Sequence, residues 1–124
     1  MPLPSAAVGL QTPPITHVVD NRWVMSYAAG LGEAAPCYLD TTRPHGVTSH
    51  PLFPVCPEWP TVLALRDLDA LRALVTPDEA RRGIHATHDV TIERPMRPGD
   101  EVTTTATVIG VGRRSPGAYL TMDM

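Results

Sequence analysis

Fourteen prolines in a chain of 124 residues set the strongest limit on how this sequence can fold. Proline lacks a backbone N–H and has a fixed φ, so it is excluded from helix interiors and central strands and marks the breaks between them. The prolines cluster near the N-terminus, between Pro36 and Pro60, and again from Pro77 onward. Regular structure must therefore lie between these clusters, and residues 33–59 are predicted to form a long irregular segment.

Two segments between the clusters have the three- and four-residue apolar spacing of a helix. The first follows a short β-like run, can be capped by Asp20 or Asn21, and is ended by Gly30. The second begins at Pro60, a residue suited to the first helical position, and carries a broad apolar stripe as far as Val75. The width of that stripe predicts a mostly buried central helix.

From residue 76 onward the pattern passes from a short helix to strands. Thr76 is followed by a proline and two acidic residues, which predicts a capped helix over 77–82. Apolar residues then alternate over 84–92, as in a strand with one buried and one solvated face. Further strands are predicted over 101–111 and from Ala118. The fold class is therefore α+β, with a helix-rich first part and an antiparallel meander.

The length of the chain is that of a single domain. We expect residues 1–14 to be a tail and residues 15–124 to form one domain. The last predicted strand still alternates at Met124. We therefore expect this domain to be incomplete at its C-terminus, or its sheet to be completed by a partner.

Composition excludes several classes of function. The net charge of −3 and the lack of a basic run argue against a nucleic-acid partner. No apolar stretch is long enough to span a bilayer and no signal peptide is recognisable, so we expect a soluble cytoplasmic protein without a membrane partner. Cys37 and Cys56 make neither a disulfide framework nor a metal finger. We expect no cofactor and no metal site.

Residues 27–38, YAAGLGEAAPCY, resemble a known enzyme signature. The MaoC-like (R)-specific enoyl-CoA hydratases carry an aromatic residue, small residues, and then Gly-Asp-x-Asn-Pro-aliphatic-His. The non-reactive positions of that signature are present here as Tyr27, Gly32 and Pro36. Flanking segments are similar to the same family: RWVMSYA at 22–28, HPLFPV at 50–55, GIHATH at 83–88 and RPMRPGD at 94–100.

The three reactive positions of the signature differ in this chain. Glu33 stands in place of Asp, Ala35 in place of Asn, and Tyr38 in place of His. A phenol, with a pKa of about 10, is a poor substitute for an imidazole in proton transfer near neutral pH. The pattern is similar to the N-terminal half of two-domain hydratases, in which a degenerate hot-dog repeat precedes the catalytic one.

This resemblance implies a hot-dog fold, in which an antiparallel sheet wraps around a central helix. It further implies the substrate-binding half of an enoyl-thioester hydratase or dehydratase, acting on acyl-CoA or acyl-carrier thioesters. The chain would itself have no catalytic residue, and a catalytic MaoC domain would act in cis or as a second subunit. We therefore expect a homo- or hetero-oligomer. A non-catalytic hot-dog module for dimerisation or thioester binding is the alternative.

The irregular segment, residues 33–59, carries more large apolar residues than a solvent-exposed loop normally does. The resemblance implies that some of them line an acyl tunnel, whereas plain core packing is the simpler interpretation. The predicted substrate-binding residues are Tyr38, Phe53, Val55 and Trp59.

The remaining candidates are an acidic residue and the histidines. Glu58 lies where hot-dog thioesterases place a carboxylate, whereas charge complementarity at a helix N-terminus is the simpler interpretation. On a strand, His85 and His88 would point to opposite faces and could not share a metal ion. The other histidines, His17, His45 and His50, have no spacing that assigns them a catalytic role.

Overall fold

The computed structural model describes residues 5–115 and 117–124. The helices are α1 (Asn21–Gly30), α2 (Pro36–Leu39), α3 (Val55–Asp67), α4 (Asp69–Arg72) and α5 (Pro77–Arg81), and a 3-10 helix spans Ser5–Ala7. The strands are β1 (Ile15–Val18), β2 (Glu101–Thr104), β3 (Thr107–Arg114) and β4 (Gly117–Asp123). The strands pair as β1 with β2 and β3 with β4. The α+β class predicted from the sequence is confirmed.

The chain divides into two compact units. The first comprises Met1–Ile15, Glu58–His88 and Thr104–Met124, and the second comprises Thr16–Pro57 and Asp89–Thr103. The first four residues of the predicted tail lie outside the described residues, as does Pro116.

The first unit packs helices and the N-terminal segment against the β3–β4 ribbon. These strands are antiparallel, from Thr107 opposite Asp123 to Arg114 opposite Gly117, with an irregularity in register after Val108. The described N-terminal residues join the same unit, because Gly9 donates a backbone hydrogen bond to Val108 at 2.8 Å. Residues from all of these elements share the core, whose buried members are Ala7, Leu65, Leu71 and Val108.

The second unit is built on α1 and the β1–β2 pair. The strands run in opposite directions, since Val19 bonds the backbone of Asp100 and the hydroxyl of Thr16 lies 2.8 Å from that of Thr103. Ser49 donates to the carbonyl of Met96 at 2.9 Å, which ties the irregular segment to this unit. The buried core residues are Val19, Val24, Val47 and Phe53.

The predicted helix termini with capping residues are confirmed. Asp20 caps α1, because its Oδ1 accepts from the backbone N–H of Trp23 at 2.7 Å. Thr76 and Glu79 form a reciprocal capping box at the start of α5. β1 also occupies the predicted β-like run.

The prediction of one mostly buried helix from Pro60 to Val75 is wrong. α3 begins five residues earlier, at Val55, and the helix breaks at Leu68, whose backbone is extended. Pro57 falls in the first turn of α3, where the missing N–H would have had no partner, while Pro60 lies inside the helix. Only one side of α3 is covered, since Leu65 is buried but Leu63 is 41% exposed.

The strand predicted over 84–92 does not form in the described chain. These residues are irregular and exposed, and the side chain of Ile84 is 85% exposed. Alternation sets which face a strand would bury, but a strand also needs a neighbour to pair with its backbone. The predicted strand over 101–111 is likewise interrupted, because Ala106 donates its N–H to the hydroxyl of Thr12 at 2.9 Å between β2 and β3.

Candidate functional site

The signature segment forms a tight turn from α1 into α2. Gly32 adopts a left-handed conformation with φ of 74°, which favours glycine at this position. The backbone N–H of Glu33 then returns to the carbonyl of Ala28 at 3.0 Å. Pro36 occupies the first turn of α2. The backbone form of the segment is therefore set by those residues that match the family signature.

Of the first two reactive positions, one holds the turn and the other has no polar side chain. The Glu33 carboxylate accepts a hydrogen bond from the backbone N–H of Ala35 at 3.1 Å, so it caps its own turn. Ala35 is the N-cap residue of α2 and provides no side-chain hydrogen bond there.

Tyr38, at the third reactive position, lies on α2 with its side chain half-buried. Desolvation raises the pKa of the Tyr38 phenol above its usual value, and the neighbouring Cys37 and Glu33 raise it further. The phenol is consequently neutral near pH 7. Tyr38 can donate or accept a hydrogen bond, but it cannot act as a base there.

His50 lies beside Tyr38, and sequence reasoning gave it no role. The two ring centroids are 5.3 Å apart, and the Tyr27 ring is 6.4 Å from His50 on another side. His50 Nδ1 accepts from the backbone N–H of Leu52 at 3.1 Å. The sequence signal was slight, because only the HPLFPV segment drew attention to this region and a histidine before proline indicates no more than a turn.

The predicted substrate-binding residues fall in both units. In the second unit, Tyr38 and Phe53 are connected by a run of ring contacts through His50 and Tyr27. Phe53 is fully buried, and Val55 is half-buried at the start of α3. Trp59 belongs to the first unit and is 44% exposed. Their proposed contact with an acyl chain stays a prediction.

Burial also affects Tyr27, a member of this run of rings, and Cys56 near it. The pKa of the Tyr27 phenol is raised, first by desolvation and then by Cys56. Burial likewise raises the pKa of the Cys56 thiol. Both groups are therefore neutral near pH 7, and Cys56 packs against the core of the second unit as a small apolar residue.

A carboxylate and an imidazole meet in the first unit. Glu58, in the first turn of α3, has its Oε2 3.1 Å from Nε2 of His88. The contact is at ion-pair distance, but its geometry is not that of a hydrogen bond, and the buried Oε2 accepts none from the described residues. Both side chains are mostly covered, although the backbone of His88 is exposed.

The expectation that His85 and His88 point to opposite faces is wrong. Their ring centroids lie 5.2 Å apart, because this segment is irregular and the strand geometry behind the expectation does not apply. Among the residues that the structure describes, no group of three His, Cys, Asp or Glu side chains is placed to hold a metal ion.

Comparison with known proteins identifies the family. A family model described as the FAS1-like, dehydratase domain region matches residues 6–124, almost the whole chain. The chain belongs to this family. No curated protein and no solved structure matches it. As a hot-dog dehydratase region, it has the fold class that the sequence predicted, α+β with antiparallel strands.

Membership in this family also supports the expectation that the chain is a hot-dog dehydratase-like module. Within the described part of the chain, every helix is too short or too polar to cross a bilayer.

Proposed function

We propose that this dehydratase-family chain is the acyl-binding, non-catalytic half of a MaoC-like enoyl-thioester hydratase or dehydratase. The observation that carries the proposal is the state of its signature segment. Gly32 and Pro36 keep the turn into α2, while the Glu33 carboxylate caps that turn and Ala35 carries no polar group. The scaffold of the site is retained without its proton-transfer groups.

The chemistry of the reaction supports separate halves for acyl binding and for proton transfer. Adding water across the double bond of a trans-2-enoyl thioester needs groups that exchange protons near neutral pH. Tyr38 is unsuited to this, because desolvation raises the pKa of its phenol. The catalytic Asp and His would come from a MaoC domain on the same chain or on a second subunit. In this chain, Tyr38, Phe53 and Val55 of the second unit would contact the acyl thioester.

The need for a partner is supported by the exposed segment 84–92. Its apolar residues alternate as in a strand, yet Ile84, Val90 and Ile92 are all exposed. The exposed backbone of such a segment can pair with a strand supplied by another domain. A partner hot-dog domain, in a homo- or hetero-oligomer, is the occupant that the proposal requires.

Hydration of crotonyl-CoA tests the proposal. The purified chain should show no activity alone, and activity should appear when the product of the neighbouring reading frame, or the downstream MaoC domain, is added. That partner alone is the control and should be less active than the pair. Hydration by the isolated chain would contradict the assignment of an eroded site. Thioester binding without activity in the pair would favour the non-catalytic module instead.

A second candidate function, thioester hydrolysis, is favoured by the position of Glu58. Its Oε2 is buried and lies 3.1 Å from His88 Nε2, an arrangement in which one group can orient or deprotonate water while the other holds charge. Charge complementarity at the start of α3 would explain Glu58 without an active site. Release of free CoA from butyryl-CoA by the isolated chain separates these two interpretations.

A further inference from the structure

The orientation of His50 fixes which of its nitrogens is available to a ligand. Nδ1 receives the backbone N–H of Leu52 at 3.1 Å. A backbone N–H can only donate, so Nδ1 must be the unprotonated nitrogen and the neutral ring carries its hydrogen on Nε2. Nε2 lies across the ring from Nδ1 and therefore points away from this turn. His50 presents a donor of defined tautomer on its outer edge.

Tyr38 provides a second uncharged donor beside the first. Its ring centroid is 5.3 Å from that of His50, with 55° between the ring planes. Desolvation raises the pKa of the phenol, so the O–H is retained across the neutral range. Two neutral donors on neighbouring half-buried side chains are suited to a carbonyl oxygen, which accepts two hydrogen bonds.

Thr48, whose backbone is bonded next to Tyr38, carries a buried hydroxyl. Its backbone N–H bonds the carbonyl of Cys37, the residue before Tyr38, at 2.9 Å. Its Oγ1 is buried and has no hydrogen-bond partner among the described residues. Buried hydroxyls without partners are uncommon in folded proteins, and such a group suggests a ligand or an ordered water.

We propose that His50 Nε2–H and Tyr38 O–H form a binding site for the carbonyl oxygen of an acyl thioester, beside the degenerate signature segment. The inference rests on the proposed acyl-binding function and adds the group of the substrate that is recognised. Tyr27 and Phe53 continue the run of rings away from His50, so an acyl chain bound there would lie against apolar side chains. Both groups donate to the same kind of acceptor, so the site would hold the carbonyl oxygen by hydrogen bonds.

Two substitutions separate the donor role of His50 from a role in the turn. His50→Asn keeps an acceptor near the position of Nδ1 for the Leu52 N–H but removes the outer donor. His50→Gln places an N–H near the position of Nε2 and removes the inner acceptor. Tyr38→Phe removes the second donor alone. His45→Asn is the matched control, because His45 is an exposed loop residue outside the ring cluster.

The test compares two ligands of equal chain length by calorimetry. Butyryl-CoA carries the thioester carbonyl, whereas S-butyl-CoA is a thioether without it. The chain should bind butyryl-CoA about five- to tenfold more tightly, the factor expected for a net hydrogen bond to a neutral group. His50→Asn and Tyr38→Phe should reduce this preference severalfold, and His50→Gln and His45→Asn should retain it. Circular dichroism checks that each variant is folded.

Three outcomes would overturn the inference. Equal affinity of the wild-type chain for the two ligands would rule out the proposed carbonyl site but would not contradict the proposed acyl-binding function. A preference lost in His50→Gln but kept in His50→Asn would show that His50 serves only the turn. Failure of both ligands to bind would overturn the carbonyl site together with the acyl-binding function.

Discussion

Truncation of Phe53 should strongly destabilise the second unit. The side chain is 0% exposed, and its ring meets Trp23 at 5.1 Å and Tyr27 at 5.8 Å in edge-to-face contacts. Replacing a buried Phe with Ala costs about 3–5 kcal/mol, and aromatic pairs of this geometry contribute roughly 0.5–1.5 kcal/mol each. We therefore expect Phe53→Ala to lower the free energy of unfolding by about 4 kcal/mol, a large part of the ~5–15 kcal/mol typical of a domain.

Urea unfolding followed by tryptophan fluorescence measures this loss directly, because Trp23 touches the substituted ring. Phe53→Leu is the matched control. It removes both ring contacts but leaves most of the side-chain volume, so its cost should be about 1.5 kcal/mol. A loss below about 1 kcal/mol for Phe53→Ala would refute the placement of Phe53 in a well-packed core.

The same variant tests the proposed acyl contact in the assembled enzyme. If Phe53 lines the path of the acyl chain, Phe53→Ala should weaken long-chain substrates more than short-chain ones. An equal loss of kcat/KM at every chain length would assign Phe53 to core packing alone. Working at a temperature where the variant remains folded keeps the two effects apart.

Three further predictions concern single contacts. Thr12→Val should cost about 1–3 kcal/mol of unfolding free energy, because the Ala106 N–H loses the buried hydroxyl 2.9 Å away, whereas Thr12→Ser should retain most of the stability. Hydrogen bonds from Arg94 and Arg97 hold the pKa of Asp100 below its usual 3.8, so its stabilisation exists above that value and is lost as pH falls through the folded pKa. Asp100→Asn should thus lower Tm at pH 7, and the difference from wild type should shrink below pH 3.8. Glu58→Gln should abolish any release of CoA from butyryl-CoA by the isolated chain if the Glu58–His88 pair is catalytic, while release that persists would exclude that pair.

Local signals predicted those parts of the fold that depend on neighbours in sequence. Asp20 and Thr76 cap helices through hydrogen bonds that reach only three residues ahead, so their effect could be inferred from spacing. The break at Leu68 could not, because an apolar stripe does not show where a helix will bend to cover a core. The strand expected over 84–92 does not form for a related reason, since pairing depends on residues distant in the chain or on another chain.

In the candidate site, too, contacts between residues close in sequence were predictable, and contacts between distant residues were not. Sequence located the eroded positions, and the bond between the Glu33 carboxylate and the Ala35 N–H is a contact of two residues two positions apart. His50 stands twelve positions after Tyr38, and only folding brings the two rings to 5.3 Å. No spacing rule for loops predicts such a contact, because loop backbones lack the fixed period of helices and strands.

The replacement of the signature histidine by the neutral Tyr38 gives a physical reason for two cooperating halves. A catalytic Asp–His pair must change charge during turnover, and a charge beside an apolar acyl path is costly to keep desolvated. In the proposed arrangement, Tyr38 and His50 are uncharged donors, so they can remain next to the rings of Tyr27 and Phe53 without that cost. Acyl binding favours uncharged, apolar surroundings, whereas proton transfer needs groups that change charge. A hot-dog half released from proton transfer can serve the acyl chain alone, and its signature segment can lose Asp, Asn and His while its turn persists.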